Sequence, residues 1–279
     1  RVTTNQLQPI HDWFKHQEWT PLPFQIQTWK KHQIGKSGLI QVPTGSGKTF
    51  AAVMGPIAQM LADDTDRKGI RLLYLTPLRA LSRDLALAIR EPIETMGWPL
   101  RVGIRNGDTK SNERTKQLKA PPDILVTTPE SLTLLLSNPK AEELFSNLDT
   151  VILDEWHELM GSKRGSQTEL CLSWLRQQHN ALQTWAISAT IGNLDQAAHH
   201  ALGTNSQPEM IGGAPARTTE IRSIFPETID GFPWAGHLGL RMYEELVAVL
   251  NPCISTLLFT NTRNQSERWH QCLRFACPE

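Results

Sequence analysis

The segment Pro43-Thr44-Gly45-Ser46-Gly47-Lys48-Thr49 constrains this chain more than any other. It follows an apolar run at 38–43 and opens a helical pattern at 49–61. Glycines at such a junction let successive backbone N–H groups turn toward one anion, and the helix N-terminus adds the positive end of its dipole. Thr44, Gly45, Ser46 and Gly47 are therefore placed to cradle phosphates. Lys48 is placed to reach the β- and γ-phosphates of a nucleotide, and the Thr49 hydroxyl to ligate magnesium. The full phosphate-loop pattern has glycine where Val42 stands, so the match rests on the T-G-S-G-K-T core in its strand–loop–helix setting.

That setting recurs along the chain. Apolar runs at 38–43, 71–77, 101–104, 124–129, 150–155 and 184–190 read as strands, and 49–61 and 78–90 read as helices between them. Alternation of this kind means crossover units and a buried parallel sheet, with ligands at the carboxyl ends of its strands. After Gly203 the pattern fades. Gly/Pro-rich stretches at 212–215 and 232–239 read as linker. A helix at 238–250, a strand at 255–260 and a helix at 265–275 read as the opening of a second α/β unit. The expected organisation is an ATP-binding α/β domain over 1–216, then linker and an unfinished second unit over 217–279. Arg1 and the final Cys-Pro-Glu read as cuts within a longer protein.

The second half of the phosphate site is Val151-Ile152-Leu153-Asp154-Glu155-Trp156-His157. Three apolar residues make a buried strand, and two carboxylates follow at its end. Asp154 is expected to hold magnesium, directly or through water, and Glu155 to orient and deprotonate the attacking water. An isolated Asp-Glu pair is more often a solvated turn. A phosphate loop upstream in the same chain changes that balance.

In order along the chain, P-T-G-S-G-K-T, D-E-W-H and Ser188-Ala189-Thr190 resemble motifs I, II and III of superfamily 2 helicases, and Pro21-Leu22-Pro23-Phe24-Gln25 resembles their Q motif. Thr76-Pro77-Leu78-Arg79-Ala80-Leu81 resembles motif Ia, and Thr127-Thr128-Pro129-Glu130-Ser131-Leu132 resembles motif Ib. Arg105-Asn106-Gly107-Asp108-Thr109 followed by Glu113-Arg114, Ser188–Asn193 (S-A-T-I-G-N), Pro233–Gly239 (P-W-A-G-H-L-G) and Phe259–Arg263 (F-T-N-T-R) complete the set. Together they resemble the large helicase-related family, and within it most nearly the bacterial ligase-associated DEXH-box DNA helicases, over essentially the whole chain. The resemblance implies a RecA-like domain with a parallel central sheet and flanking helices, plus the start of a second RecA-like domain.

The same resemblance implies roles. Gln25 reads the adenine edge, with Phe24 or Trp19 packed near the base. Ser188, Ala189 and Thr190 couple the ATP site to nucleic acid, and His157 shares that task; a structural histidine is the competing reading. ATP and Mg2+ are the implied cofactors. Single-stranded or partly duplex DNA is the implied partner, with RNA as the alternative, and DNA ligase and nuclease repair partners follow from the family. The implied activity is 3′–5′ DNA translocation in repair, in the cytoplasm and at the nucleoid. An ATP-gated nucleic-acid-binding module without efficient hydrolysis is the non-enzymatic alternative. Independently of any name, short polar turns at strand ends offer N–H and hydroxyl donors to successive phosphates. Thr76, Pro77, Arg79, Thr127, Thr128 and Pro129 are the candidates. Each, taken singly, also reads as a turn or helix-capping residue. No motif VI, the segment that supplies arginines to the transferring phosphate, lies in these residues.

Composition sets the limits. Lys+Arg and Asp+Glu are both 28, so a nucleic-acid site must be a local groove rather than a charged whole. Four cysteines at 171, 253, 272 and 277 form no C-x-x-C pair, which argues for reduced thiols. No run of about 18 apolar residues is present, and no secretory leader pattern opens the chain. His199 and His200 read as surface residues without carboxylate partners, and most of the nine Trp as packing.

Overall fold

Leu72, Leu73, Tyr74 and Leu75 are all buried, and so are Val151, Ile152 and Leu153. Strands closed off on both faces belong to a parallel sheet between two helix layers. Successive side chains go to opposite sides. Leu72, Tyr74 and Ile152 join one apolar cluster, while Leu73, Leu75, Val151 and Leu153 join the other.

The computed structural model describes residues 6–43, 45–65, 67–189, 192–203, 206–213, 220–225, 242–250 and 255–276. The chain divides by contact into a unit over Arg1–Ala216 and another over Arg217–Glu279. The first unit runs α1 (Gln8–His16), α2 (Pro23–Gln33), β1 (Gly38–Gln41), α3 (Lys48–Leu61), β2 (Leu72–Leu75), α4 (Arg79–Thr95), β3 (Val102–Arg105), α5 (Ser111–Lys119), β4 (Ile124–Thr127), α6 (Pro129–Leu136), α7 (Ala141–Phe145), β5 (Thr150–Leu153), α8 (Trp156–Leu159), α9 (Lys163–Gln178), β6 (Gln183–Ser188), α10 (Leu194–Leu202) and β7 (Glu209–Gly212). The second holds α11 (Tyr243–Leu250) and α12 (Arg263–Ala276).

The seven strands lie in the order β3-β4-β2-β5-β6-β1-β7, and every pairing is parallel. This is the RecA-like α/β arrangement that the resemblance implied. Helices α1 to α4 cover one face, where Trp13, Phe14, Phe24, Trp29, Met54 and Ile57 are buried. Helices α6 to α10 cover the other with Leu132, Phe145, Trp156, Leu172 and Leu175. Burying one such side chain contributes about 1.5–3 kcal/mol. Gly38 shows how tightly β1 is held: a β-carbon there would collide with the Glu209 carbonyl oxygen and lie 2.9 Å from the Trp185 ring.

Six strands lie where the apolar runs place them; four are trimmed, while β3 is shifted on by one residue to Arg105 and β6 begins one residue earlier at Gln183. The seventh, β7, lies in the region read as fading toward linker. It was hidden because its short apolar pair at Met210 and Ile211 is flanked by Glu209 and by the glycines at 212–213. Helix α4 runs five residues beyond the expected end, through Pro92 to Thr95. Proline removes one helical hydrogen bond, but Pro92 and Ile93 are both buried, and packing carries the helix on. Residues 255–260, expected as a strand, form no strand; a strand needs a neighbouring ladder, and among the described residues none pairs with them. Leu257 and Phe259 there are exposed. Within the second unit, Tyr243 stacks on Trp269 with ring centroids 6.2 Å apart, and its hydroxyl donates to the Cys272 carbonyl. Thr44, Thr190, Cys253, Cys277 and the motif at 233–239 lie outside the described residues. Among those described, no helix is long and apolar enough to cross a membrane.

A smaller expectation also changes. His200 has a carboxylate beside it, Glu169 Oε1 at 3.3 Å from Nδ1, and the Nδ1 of His199 is buried. Trp156 is fully buried and donates its indole N–H to the Ala197 carbonyl at 2.9 Å, in keeping with tryptophans that serve packing.

His32 pins α2 to the sheet. Its Nδ1 accepts from the Trp185 indole N–H at 3.3 Å, so Nε2 carries the proton and donates to Gln59 Oε1 at 2.8 Å. Burial lowers its pKa from 6.5 to about 4, against the opposing hydrogen bond to Gln59. The folded state thus binds this proton more weakly than the unfolded one, and the stability that His32 contributes falls as pH drops below about 6.5 toward 4. We expect the stability difference between wild type and His32→Gln to shrink by about 2 kcal/mol from pH 7 to pH 5. Urea denaturation of both proteins at the two pH values measures it; a difference that stays constant rejects the assignment.

Candidate nucleotide and nucleic-acid site

The loops leaving the carboxyl ends of β1, β5 and β6 meet because β6 lies between the other two strands. The loop after β1 turns through Gly45 (φ +78°) and Gly47 (φ +85°), both in the left-handed region that favours glycine. Ser46 Oγ donates to the Pro43 carbonyl at 2.5 Å, and Gly47 caps α3, which begins at Lys48. The N–H groups at the start of α3 are thereby left to point at an anion.

Lys48 is only 8% exposed, and its ammonium lies 3.2 Å from Glu155 Oε1. Glu155 itself sits at φ +42°, ψ +48°, a left-handed conformation that costs a non-glycine residue roughly 1–2 kcal/mol. Its other oxygen, Oε2, lies 3.5 Å from His157 Nδ1. Asp154 is buried, and its Oδ1 accepts the Glu155 N–H at 3.0 Å. Burial, and then the Glu155 charge, push the Asp154 carboxyl up to about 6, with Lys48 opposing. A raised acid favours the folded state at low pH, and that contribution is lost as pH rises through about 6. At neutral pH the pocket therefore holds more negative charge than Lys48 balances. Oxygen donors with excess negative charge suit a hard divalent cation. Asp154 together with Thr49 fits the expected magnesium site.

His157 joins the ends of β5 and β6. Its Nδ1 accepts the Ala189 N–H at 3.3 Å and lies 3.2 Å from Ser188 Oγ, while Nε2 lies 3.5 Å from Glu158 Oε1. Accepting from Ala189 places the ring proton on Nε2. A proton on Nδ1 would instead turn that nitrogen toward Glu155.

Gln25 is held from both ends of its amide, with one N–H and one oxygen lone pair left over. It is buried, its Oε1 accepts the Leu22 N–H at 2.8 Å, and its Nε2 donates to the Gly47 carbonyl at 3.1 Å. It ties the segment before α2 to the phosphate loop. Of the two aromatic candidates, Phe24 is core and Trp19 is 47% exposed. Trp19 sits at the edge of an aromatic cluster with Trp13, Phe14 and Phe50.

The nucleic-acid candidates separate in the same way. Thr76, Pro77, Thr127, Thr128 and Pro129 are buried. Thr127 donates to the Arg105 carbonyl at 2.6 Å, and Thr128 precedes α6 with Ser131 Oγ at 3.4 Å. The Thr127 and Thr128 hydroxyls are engaged within their own turn, whereas the buried Thr76 hydroxyl has no hydrogen-bond partner. Arg79 is exposed and pairs with Asp108 at 3.2 Å. It lines a groove of about 760 Å3 with Arg83, Arg90, Asn106, Asp108 and Lys110.

Of three supporting residues, Arg114 lay within a matched motif without a stated role, and Arg164 and Tyr74 carried no sequence signal of theirs. Arg164 donates to both oxygens of Glu130, at 2.5 and 3.2 Å, and to the Pro77 carbonyl at 2.7 Å, joining the two turns. Burial would raise Glu130, but the Arg164 hydrogen bonds outweigh it and hold that carboxyl below its usual value. Arg114 donates to the carbonyls of Asn106, Gly107 and Thr109 and closes that loop. Tyr74 reaches the Asp154 pocket from inside an apolar strand.

Known proteins share this arrangement. The DEAD/DEAH box helicase family pattern matches residues 22–197. The ATP-dependent helicase Lhr-Core of Methanocaldococcus jannaschii is 35% identical over 275 residues, which cover 93% of this chain and 32% of that protein. The Lhr helicase/uracil glycosylase of Escherichia coli is 34% identical over 290 residues, covering 92% of this chain and 19% of that protein. The structure of Mycobacterium smegmatis helicase Lhr bound to ssDNA and AMP-PNP matches with a TM-score of 0.74 at 29% identity, covering 96% of this chain and 36% of that one. This chain spans about a third or less of the length of these curated relatives.

The loop geometry carries its own test. A β-carbon on Gly47 would lie 2.7 Å from Gln25 Nε2, on a residue whose φ is already +85°. Gly47→Ala is expected to destabilise the protein by about 1–2 kcal/mol or more from backbone strain alone, read as a lowered melting temperature. An unchanged melting temperature would mean that the loop is not held as described.

Proposed function

Because the chain belongs to the DEAD/DEAH box helicase family, we propose that it is the nucleotide-binding part of an ATP-driven DNA motor. The observation that carries this reading is the buried Lys48–Glu155 pair with Asp154 beside it at the ends of β1 and β5.

In this reading the phosphates enter over Gly45, Ser46, Gly47 and the start of α3, with Thr44 in the same loop. Lys48 leaves Glu155 for the β- and γ-phosphates, as a stronger and more negative partner displaces a weaker one. That exchange frees Glu155 to orient a water molecule and take its proton as the water oxygen attacks the γ-phosphorus and the β-phosphate oxygen leaves. Thr49 and Asp154 hold magnesium, which when bound neutralises charge on the phosphate oxygens. His157, with Ser188 and Ala189, relays the state of Glu155 to the end of β6; Thr190 continues that segment. Trp19 is exposed and packs against Phe50 at the start of α3, and it takes the base.

The DNA track runs over the groove at Arg79. Arg79, Arg83 and Lys110 contact phosphates from the groove, and the turns at Thr76, Pro77, Thr127, Thr128 and Pro129, at the ends of β2 and β4, continue the track. A single-stranded DNA strand in the Mycobacterium smegmatis relative supports DNA over RNA. The likeness to ligase-associated DNA helicases supports a repair role, 3′–5′ movement, ligase and nuclease partners, and a place at the nucleoid. Residues 217–279 open the second RecA-like domain. No motif VI lies in these 279 residues, and an arginine supplied from there is worth ~10³–10⁵ in rate. This chain therefore binds ATP well and turns it over slowly.

Two measurements test this reading. Glu155→Gln keeps nucleotide affinity within a few-fold but lowers ATP turnover by about 10²-fold or more; equal turnover in variant and wild type removes Glu155 from the chemistry. With AMP-PNP present, the chain binds single-stranded DNA more tightly than RNA of the same sequence, and Arg79→Ala flattens the salt dependence of DNA binding by about 0.7 in log–log slope. Equal or tighter RNA binding would replace the DNA reading. Nucleotide-dependent DNA affinity with no turnover at all would make this chain a gated binding module.

A further inference from the structure

Tyr74 brings a polar group into an otherwise apolar strand, and its hydroxyl is enclosed without a hydrogen-bond partner. An unpaired buried hydroxyl is unfavourable, and phenylalanine would fill the same space without it. The phenol oxygen is not aimed into hydrocarbon. It faces the Thr49 hydroxyl and the Asp154 carboxylate, close enough for both to act on its proton, without closing a hydrogen bond to either. The backbone enforces this approach. Asp154 N–H donates to the Leu75 carbonyl at 2.8 Å, and the β2–β5 register sets Tyr74 opposite Ile152, two residues before Asp154.

A donor held at full burial beside two cation-binding oxygens is placed for a state in which those oxygens are reoriented. We propose that Tyr74 is a positioning residue of the cation site: with magnesium on Thr49 and Asp154, its O–H donates to the Asp154 oxygen turned away from the ion and fixes the carboxylate. This rests on the nucleotide–magnesium reading of the same site. Outer partners of this kind set the angle of a metal ligand without touching the metal, and losing one typically costs about 10–100-fold in metal affinity.

The proposal makes two effects of Tyr74→Phe run in opposite directions. Without magnesium, the melting temperature stays the same or rises, because an unpaired hydroxyl has been removed. With a fluorescent ATP analogue bound to the 279-residue chain, the magnesium concentration for half-maximal enhancement of binding rises about 10-fold, while magnesium-free affinity stays within twofold. Asp154→Asn is measured beside it. A magnesium response unchanged in Tyr74→Phe but weakened in Asp154→Asn overturns the role of Tyr74 and leaves the cation site standing. No change in either variant removes both. A lowered melting temperature with magnesium-free and magnesium-dependent binding weakened alike makes Tyr74 structural and overturns the proposal.

Discussion

Placing one ammonium and two carboxylates in a mostly closed pocket is unfavourable unless each has a partner, and most of the site can be traced to that problem. Lys48 and Glu155 satisfy one another at 3.2 Å. Asp154 accepts a backbone N–H and feels the more distant Lys48, but burial and the Glu155 charge outweigh these and push its carboxyl up to about 6. The backbone at Glu155 accepts a left-handed conformation to make the pairing. Strand order makes the meeting possible, since β1 and β5 are separated only by β6. A protein arranged to hold excess negative charge beside a phosphate loop is incomplete until a cation and an anion arrive together.

Polar residues around this centre divide by whether they touch a ligand or hold something that does. Gln25, Thr127, Thr128, Arg114 and Arg164 all belong to the second group: their hydrogen bonds end on main-chain atoms, helix caps or neighbouring loops. Loops at the ends of parallel strands carry many backbone groups that no ladder satisfies. Short hydroxyl and long guanidinium side chains meet that demand. Arg79 differs because its one partner, Asp108, is as exposed as it is.

This division explains what could be seen in the amino-acid order. Apolar runs bounded by Gly, Pro and carboxylates marked six strands, because a strand buried on both faces has no polar position to blur the signal. The phosphate loop and the Asp154–Glu155 turn stood out because their chemistry requires unusual residues in a fixed setting. β7 did not, because its short apolar pair at Met210 and Ile211 is flanked by Glu209 and by the glycines at 212–213, which read as linker. Threonines in the turns after β2 and β4 matched the motifs, and Thr127 and Thr128 also hold their own turn. A motif preserves the shape of a turn as readily as it preserves a hydroxyl for a ligand. Tyr74 was invisible because an aromatic ring inside an apolar run reads as packing, and only burial with an unpaired oxygen separates it from phenylalanine. The apolar stretch at 255–260 was legible as strand-forming, but composition cannot supply the neighbour that a strand requires.

The parallel sheet also limits how this machine can move. Its central strands are buried on both sides and locked in register to their neighbours, and a slip of one residue would exchange the two faces. The sheet cannot slide or shear in small steps. It acts as a fixed datum, and any stroke has to be taken up by hinging in the few residues that leave it: the loop before Lys48, the turn at Asp154 and Glu155, and the segment beginning at Ala189. In the proposed motor, a sub-ångström change at a bound phosphate would be expressed as rotation of loops about a base that does not yield.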